Sequence, residues 1–171
     1  MKTTPDIQLR AMEPEDLDAL YRIENDVRLW GISATNVPYS RYTLHDYIAH
    51  SSGDIYTDRQ VRLIIEDSST HTLMGIADLV NFDPRHGRAE VGIVIEQPYR
   101  RCGYARTALQ HLHRYAEQVL HLHQLYAIIA SANVQANGLF ARCGYRQVAT
   151  LSDWLFDGHA YSDAVVMQLI L

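Results

Sequence analysis

The residues with the plainest chemistry lie in "EQPYRRCGYARTAL" (96–109), where Arg100, Arg101 and Arg106 surround Gly103. A β-branched apolar run, Val91 to Ile95, ends just before them, and a helical pattern begins just after. The start of a helix leaves backbone N–H groups unpaired and carries partial positive charge, so a docked anion satisfies both. Glycine lets the backbone approach a phosphate without a Cβ in the way. The arginines add charge-assisted hydrogen bonds. The pattern suits a pyrophosphate. Neither G-x-x-x-x-G-K-[ST] nor the dinucleotide G-x-G-x-x-G is present, which argues against nucleoside triphosphatases and dinucleotide-binding βαβ folds.

The elements that must position this turn can be read along the chain. "IQLRAM" (7–12) alternates as a short strand, and the acid-rich "EPED" opens a helix over 14–26. "RLWGISATNVPYSRY" reads as a loop and "TLHDYIAHSS" as a second helix. Strands at 59–67, 72–82 and 88–96 are separated by the turns "SSTH" and "DPRHG", which predicts an antiparallel meander. Residues 104–120 form an amphipathic helix with Ala105, Ala108, Leu109, Leu112, Ala116 and Val119 on one face. A buried strand (124–132) follows, then a short helix closed by Gly144 and a final hairpin turning at "FDGH". The predicted order is β-α-α-β-β-β-α-β-α-β-β. This is an α/β (α+β) layout in one domain over residues 1–171, with a central, mostly antiparallel sheet flanked by helices.

Composition sets limits. The chain has 171 residues, 47% apolar and 20% charged, which fits a globular domain with a sizeable core. Its net charge of −5 gives no global basic footprint for nucleic acid. Lys2 is the only lysine, and arginine forks suit phosphate and carboxylate. Cys102 and Cys143 lack partners at metal-ligand spacing and read as free thiols of a reducing compartment. No run approaches the roughly 20 apolar residues of a membrane helix, and the first residues lack the apolar centre of a signal peptide. A cytoplasmic protein without metal, membrane or nucleic-acid partner is expected. His111 and His113, two apart on a helix, point to different faces, and His121 and His123 fall at a helix-to-strand junction; all read as surface histidines rather than ligands.

"RAEVGIVIEQPYRRCGYARTAL" and, thirty residues on, "NVQANGLFARCGY" resemble two motifs of the GCN5-related N-acetyltransferases: Q/R-x-x-G-x-G/A and N-x-x-[AS]-x-x-[LVI]-[FY]-x-x-x-G-[FY]. The element order fits the same family over nearly everything after residue 5. Within it, the motifs resemble the branch of spermidine acetyltransferases and ribosomal-protein N-terminal acetyltransferases. The resemblance implies acetyl-CoA as cosubstrate. The implied binding residues are Ile93, Val94, Ile95, Arg100, Arg101, Cys102, Gly103, Tyr104, Ala105 and Arg106 in the first motif. In the second they are Asn133, Asn137, Phe140 and Arg142.

The implied reaction is direct attack of an amine on a thioester. A free alkyl amine has a pKa near 10, so a proton acceptor is needed. Glu90 is the candidate base; its competing role is an exposed carboxylate paired with Arg88 or Arg62. A backbone N–H near Val94 or Ile95 would stabilise the carbonyl oxygen. Relatives place a tyrosine seven residues after the helix asparagine as acid, and here that position is Phe140, leaving Tyr145, Tyr104 or water. A thiol of pKa roughly 8.5 can also leave unassisted. Cys143 lacks a relay partner and reads as packing rather than as a nucleophile.

Trp30, Tyr39, Tyr42 and Trp154 are candidates for an acceptor groove, with peripheral packing as the rival role. The loop from Leu29 to Leu44 contains no acid, and Asp153, Asp157, Asp163 and Asp46 are the nearby supply. That departs from a polycation site. A peptide N-terminus or another small amine stands beside a polyamine as acceptor. A homo-oligomer is compatible with the sequence. A non-catalytic acyl-CoA-binding or regulatory protein of the same fold is the alternative, motivated by Phe140.

Overall fold

A computed structural model describes residues 5–29 and 37–171. Seven strands form one sheet in the order β1-β2-β3-β4-β5-β7-β6. They are β1 (Ile7–Arg10), β2 (Val61–Asp67), β3 (Leu73–Asp83), β4 (Arg88–Ile95), β5 (Gln124–Ala130), β6 (Arg146–Phe156) and β7 (Tyr161–Ile170). The helices are α1 (Leu17–Glu24), α2 (Arg41–His50), α3 (Ile55–Asp58), α4 (Tyr104–Gln118) and α5 (Val134–Arg142). The expected meander is present, with β2, β3 and β4 antiparallel. α3 and the 3-10 turn Gln97–Tyr99 were not legible in the sequence.

α4 and α5 cover one face of the sheet. Their core joins Leu109, Leu112 and Phe140 to Leu79, Val91, Leu125 and Met167. α1 and α2 cover the other face through Leu20, Ile23 and Leu44 against Ile64 and Ile76. Local chemistry sets the helix starts. The Ser40 hydroxyl accepts from Thr43 N–H at 3.0 Å, and Asn133 Oδ1 accepts from Ala136 N–H at 3.1 Å. α4 ends before Val119, which is 59% exposed instead of lying on the apolar face; Leu120 and Leu122 fill the buried positions because the chain turns there.

The register around β4 shapes the site. β4 runs antiparallel to β3 up to the pair Gly75–Ile95. It runs parallel to β5 only through Arg88–Gln124, Ala89–Leu125 and Glu90–Tyr126. Meanwhile β5 stays paired with β7 as far as Ala130–Ala164. Each strand is held by its outer neighbour, so the two part beyond Glu90 and Tyr126 as a fork.

Candidate active site

The fork leaves the facing backbone edges of Val91–Ile95 and Ala127–Ala130 without strand partners. Such edges need N–H and C=O partners. An extended arm bearing amides can supply them. At the open end, Gly103 has φ +96 and ψ −12 and caps α4 without a side-chain hydrogen bond. No acid occupies the first turn of α4, so its free N–H groups keep their positive field. Arg101 is also left-handed, at φ +61, a feature the sequence does not announce. Two successive peptide reorientations there bend the chain into the helix.

The expected binding residues divide into groups. Arg101, Cys102, Gly103 and Arg106 are exposed around the turn. Arg106 on α4 and Arg142 on α5 both lie within electrostatic reach of the Cys143 thiol. Arg100 is partly committed to the protein: its Nε donates to Ile95 O at 2.8 Å, tying the turn to the end of β4. Tyr104 faces the other way. Its ring meets Tyr99 edge-on and its hydroxyl approaches Asp67 Oδ2 at 3.4 Å, so only its backbone remains for an anion. Ala105 is half-buried beside it. Ile93 joins the α4-side core, while Val94 and Ile95 line a cleft of about 200 Å³. That cleft also holds Arg22, Asp26 and Arg28, and Arg28 donates to Gln97 Oε1 at 2.6 Å.

On α5, Asn133 serves as helix cap. Asn137 is more suggestive. Its Nδ2 donates to Ala130 O at 3.1 Å and Ser131 O at 3.3 Å, at the end of β5. Its Oδ1 is buried without a hydrogen-bond partner among the described residues. A buried acceptor left alone calls for an N–H donor, which an amide-bearing arm in the fork provides. Open strand edges, the glycine cradle and this orphaned acceptor together fit coenzyme A.

Two expectations need correction. Phe140 is 3% exposed and packs edge-on to Tyr145, 4.9 Å between centroids, so it belongs to the core rather than a cleft wall. Tyr145, one of the candidate acids beside Tyr104 and water, is also 3% exposed, and its hydroxyl lies 3.1 Å from His113 Nε2 on α4. Burial pushes its pKa up sharply, the opposite of what proton donation in the fork requires. Both side chains turned inward because apolar rings gain more from the core than from a solvent-filled fork.

Glu90 is half-buried at the last rung before the fork. Its rival partners are engaged elsewhere: Arg62 bonds Asp78 at 2.8 Å and also Glu24, and Arg88 pairs with Asp83 at 3.2 Å. Instead, Asn81 Nδ2 donates to Glu90 Oε2 at 2.8 Å. Tyr126, opposite on β5, has its phenol pushed up by burial first and by the Glu90 charge next. Along the same strand face comes Gly92, between Glu90 and Val94, where an added Cβ would meet the Asp78 side chain at 3.5 Å. Asn81, Tyr126 and Gly92 were missed in the sequence because their roles depend on register. Burial raises the Cys143 thiol pKa, in keeping with packing.

Among the expected groove aromatics, Trp30 lies outside the described residues. Tyr42 and Trp154 are 79% and 55% exposed, and Tyr39 packs beside Leu20 and Leu44. Asp157 is consumed by its own turn, accepting from His159 and Ala160 N–H at 2.8 Å each. Asp153 and Asp163 remain together near the end of β5: Asp153 N–H donates to Asp163 Oδ1 at 3.0 Å, and Ser131 N–H donates to Asp163 O at 2.9 Å. A larger cleft of about 520 Å³ lies at the start of β2, beyond its pairing with β1, lined by Tyr47, His50, Asp58 and Tyr115 among others, two strands away from Glu90. The fork, not that cleft, brings the candidate residues together.

Comparison with known proteins agrees with this geometry. The chain is 25% identical over 164 residues to the spermidine N(1)-acetyltransferase of Vibrio cholerae, covering 96% of this chain and 92% of the relative. It is 27% identical over 172 residues to the enzyme of that name from Escherichia coli K12, covering 98% and 87%. A crystal structure of the Vibrio cholerae spermidine N-acetyltransferase in complex with CoA and spermine superposes with a TM-score of 0.87 at 26% identity, over 96% of this chain and 95% of that one. Residues 6–146 match the model of the acetyltransferase (GNAT) domain, and the chain belongs to that family of N-acetyltransferases.

Proposed function

We propose that this protein moves an acetyl group from acetyl-CoA to a primary amine of a polyamine, by direct attack of the amine on the thioester. The observation that carries the reading is the fork: three paired rungs between β4 and β5, then two open edges leading to the start of α4. Bound acetyl-CoA supplies the activated acetyl group. Arg101, Arg106 and the first N–H groups of α4 hold its diphosphate, and Asn137 Oδ1 accepts from an amide of its arm. Glu90 takes a proton from the ammonium, whose pKa near 10.4 otherwise keeps it non-nucleophilic. A backbone N–H near Val94 or Ile95 faces the carbonyl oxygen. Neither Phe140 nor Tyr145 is placed to protonate the sulfur, and a thiol of pKa roughly 8.5 leaves without a side-chain acid.

The polyamine reading draws support from the curated relatives and from Asp153 and Asp163 beside the end of β5, where a second ammonium can be met. Exposed apolar side chains along the edge strand β6, Val148, Trp154 and Phe156, favour assembly as a homo-oligomer. A cytoplasmic setting suits a thioester donor and the two free thiols.

Titration calorimetry with acetyl-CoA, followed by a thiol-release screen over spermidine, spermine, monoamines and peptides, tests the reading. Binding and release with polyamines are expected, and Glu90→Gln should keep affinity while losing turnover. Release with peptides alone would overturn the acceptor class. Binding without release from any amine would make this a non-catalytic acyl-CoA-binding protein.

A further inference from the structure

β3 carries a bulge opposite the start of β4. Val80 pairs with Glu90 and Asp83 with Arg88, so Asn81 and Phe82 together oppose the single residue Ala89. Simple alternation from Val80 would send Asn81 into the α4-side core and Phe82 to the face that bears Glu90. The extra residue reverses this. Phe82 is buried in the core at 4% exposure. Asn81 takes φ +51, a conformation asparagine tolerates better than most residues, and stays exposed on the Glu90 side. Bulges re-aim side chains in this way beside functional sites.

Resting on the reading of Glu90 as base, we infer that Asn81 is a positioning residue that holds Glu90 Oε2 and so orients the carboxylate at the mouth of the fork, with Tyr126 as the opposite wall. In the step itself, an ammonium N–H bond breaks and its electron pair stays on nitrogen. The proton goes to the Glu90 carboxylate, and the resulting carboxylic acid returns it to water. An amide N–H donates without competing for the proton, and it fixes the orientation of the carboxylate. The other charged groups nearby are engaged: Arg88 with Asp83, and Asp78 and Glu24 with Arg62. Among the described residues, Tyr126 from β5 is a titratable neighbour that interacts with both Glu90 and Asn81.

Two substitutions separate positioning from folding. Asn81→Gly keeps the left-handed backbone and removes the donor. Asn81→Asp keeps shape and sets a second carboxylate against the first. For Asn81→Gly, kcat should fall roughly tenfold or more with acetyl-CoA affinity unchanged. The loss should fall on kcat rather than on the KM of the amine, as for a group that orients a reacting side chain. Asn81→Asp, which sets an acceptor where the donor stood, should lower kcat further. Wild-type kcat in both variants would overturn the inference. If Glu90→Gln itself turns over normally, the base reading fails. If Glu90→Gln is inactive but Asn81→Gly is not, the positioning role alone fails.

Discussion

Gly103→Ala is the sharpest test of the anion-binding turn. At φ +96 and ψ −12, residue 103 sits where an L side chain is strained. A Cβ would also meet Pro5 Cδ at 3.2 Å and Cγ at 3.3 Å, contacts the ring can yield by a few tenths of an ångström. If the backbone holds its shape, the strain costs about 1–3 kcal/mol. In a chain of this length each kcal/mol lowers Tm by roughly 2–4 °C, so a mid-range cost near 2 kcal/mol is worth about 4–8 °C. If the backbone relaxes instead, the first N–H groups of α4 no longer converge on an anion. Losing one charge-assisted hydrogen bond of about 1.5–3 kcal/mol weakens coenzyme A binding by roughly tenfold to a hundredfold. Gly158→Ala supplies the control: it sits at φ +100 in the far hairpin turn, with nothing within 4 Å of an added Cβ. It should share the thermal penalty and keep wild-type affinity. Differential scanning fluorimetry and calorimetric titration with coenzyme A measure both quantities. Wild-type affinity in Gly103→Ala together with a Tm loss well below that of Gly158→Ala, the mark of a relaxed backbone, would refute the assignment of this turn to the diphosphate.

Phe140→Tyr should bring no gain in thiol release, because its new hydroxyl lies in the core; the unpaired group should cost about 1–3 kcal/mol, read as a lower Tm. Leu112→Ala, at a position with 0% exposure, should destabilise by about 2–5 kcal/mol in urea unfolding. Hydrogen bonds from His71 and Arg10, with Gln8, hold the Glu66 carboxyl down at about 2 from its ordinary 4.5. The folded state therefore binds fewer protons than the unfolded one, and this contribution is present above pH 4.5 and lost as pH falls toward 2. Calorimetric Tm against pH should show the loss, and Glu66→Gln should flatten it.

Most elements were legible in the sequence because each is a local event. Apolar period, the acid-rich opening at Glu13–Asp16 and the turn at Asp157–Gly158 depend on neighbours a few residues away. The R-x-x-G-x-A turn and the asparagine helix could be placed in order for the same reason. Side-chain direction at those motifs was less legible. Arg100 ties back to Ile95, Tyr104 reaches Asp67, and Phe140 and Tyr145 pack together, since each choice depends on what another segment offers.

What sequence alone determined is most of the helix-and-strand inventory and the placing of the R-x-x-G-x-A turn and of Glu90, the candidate carboxylate, within it. Tertiary structure alone decided that β7 lies between β5 and β6, and that β4 and β5 part after three rungs. It also decided that a bulge swings Asn81 onto Glu90 and that Asn137 keeps a buried acceptor open. The physical reason is that pairing and register join segments far apart in the chain, and a one-residue shift exchanges the face on which every side chain lies.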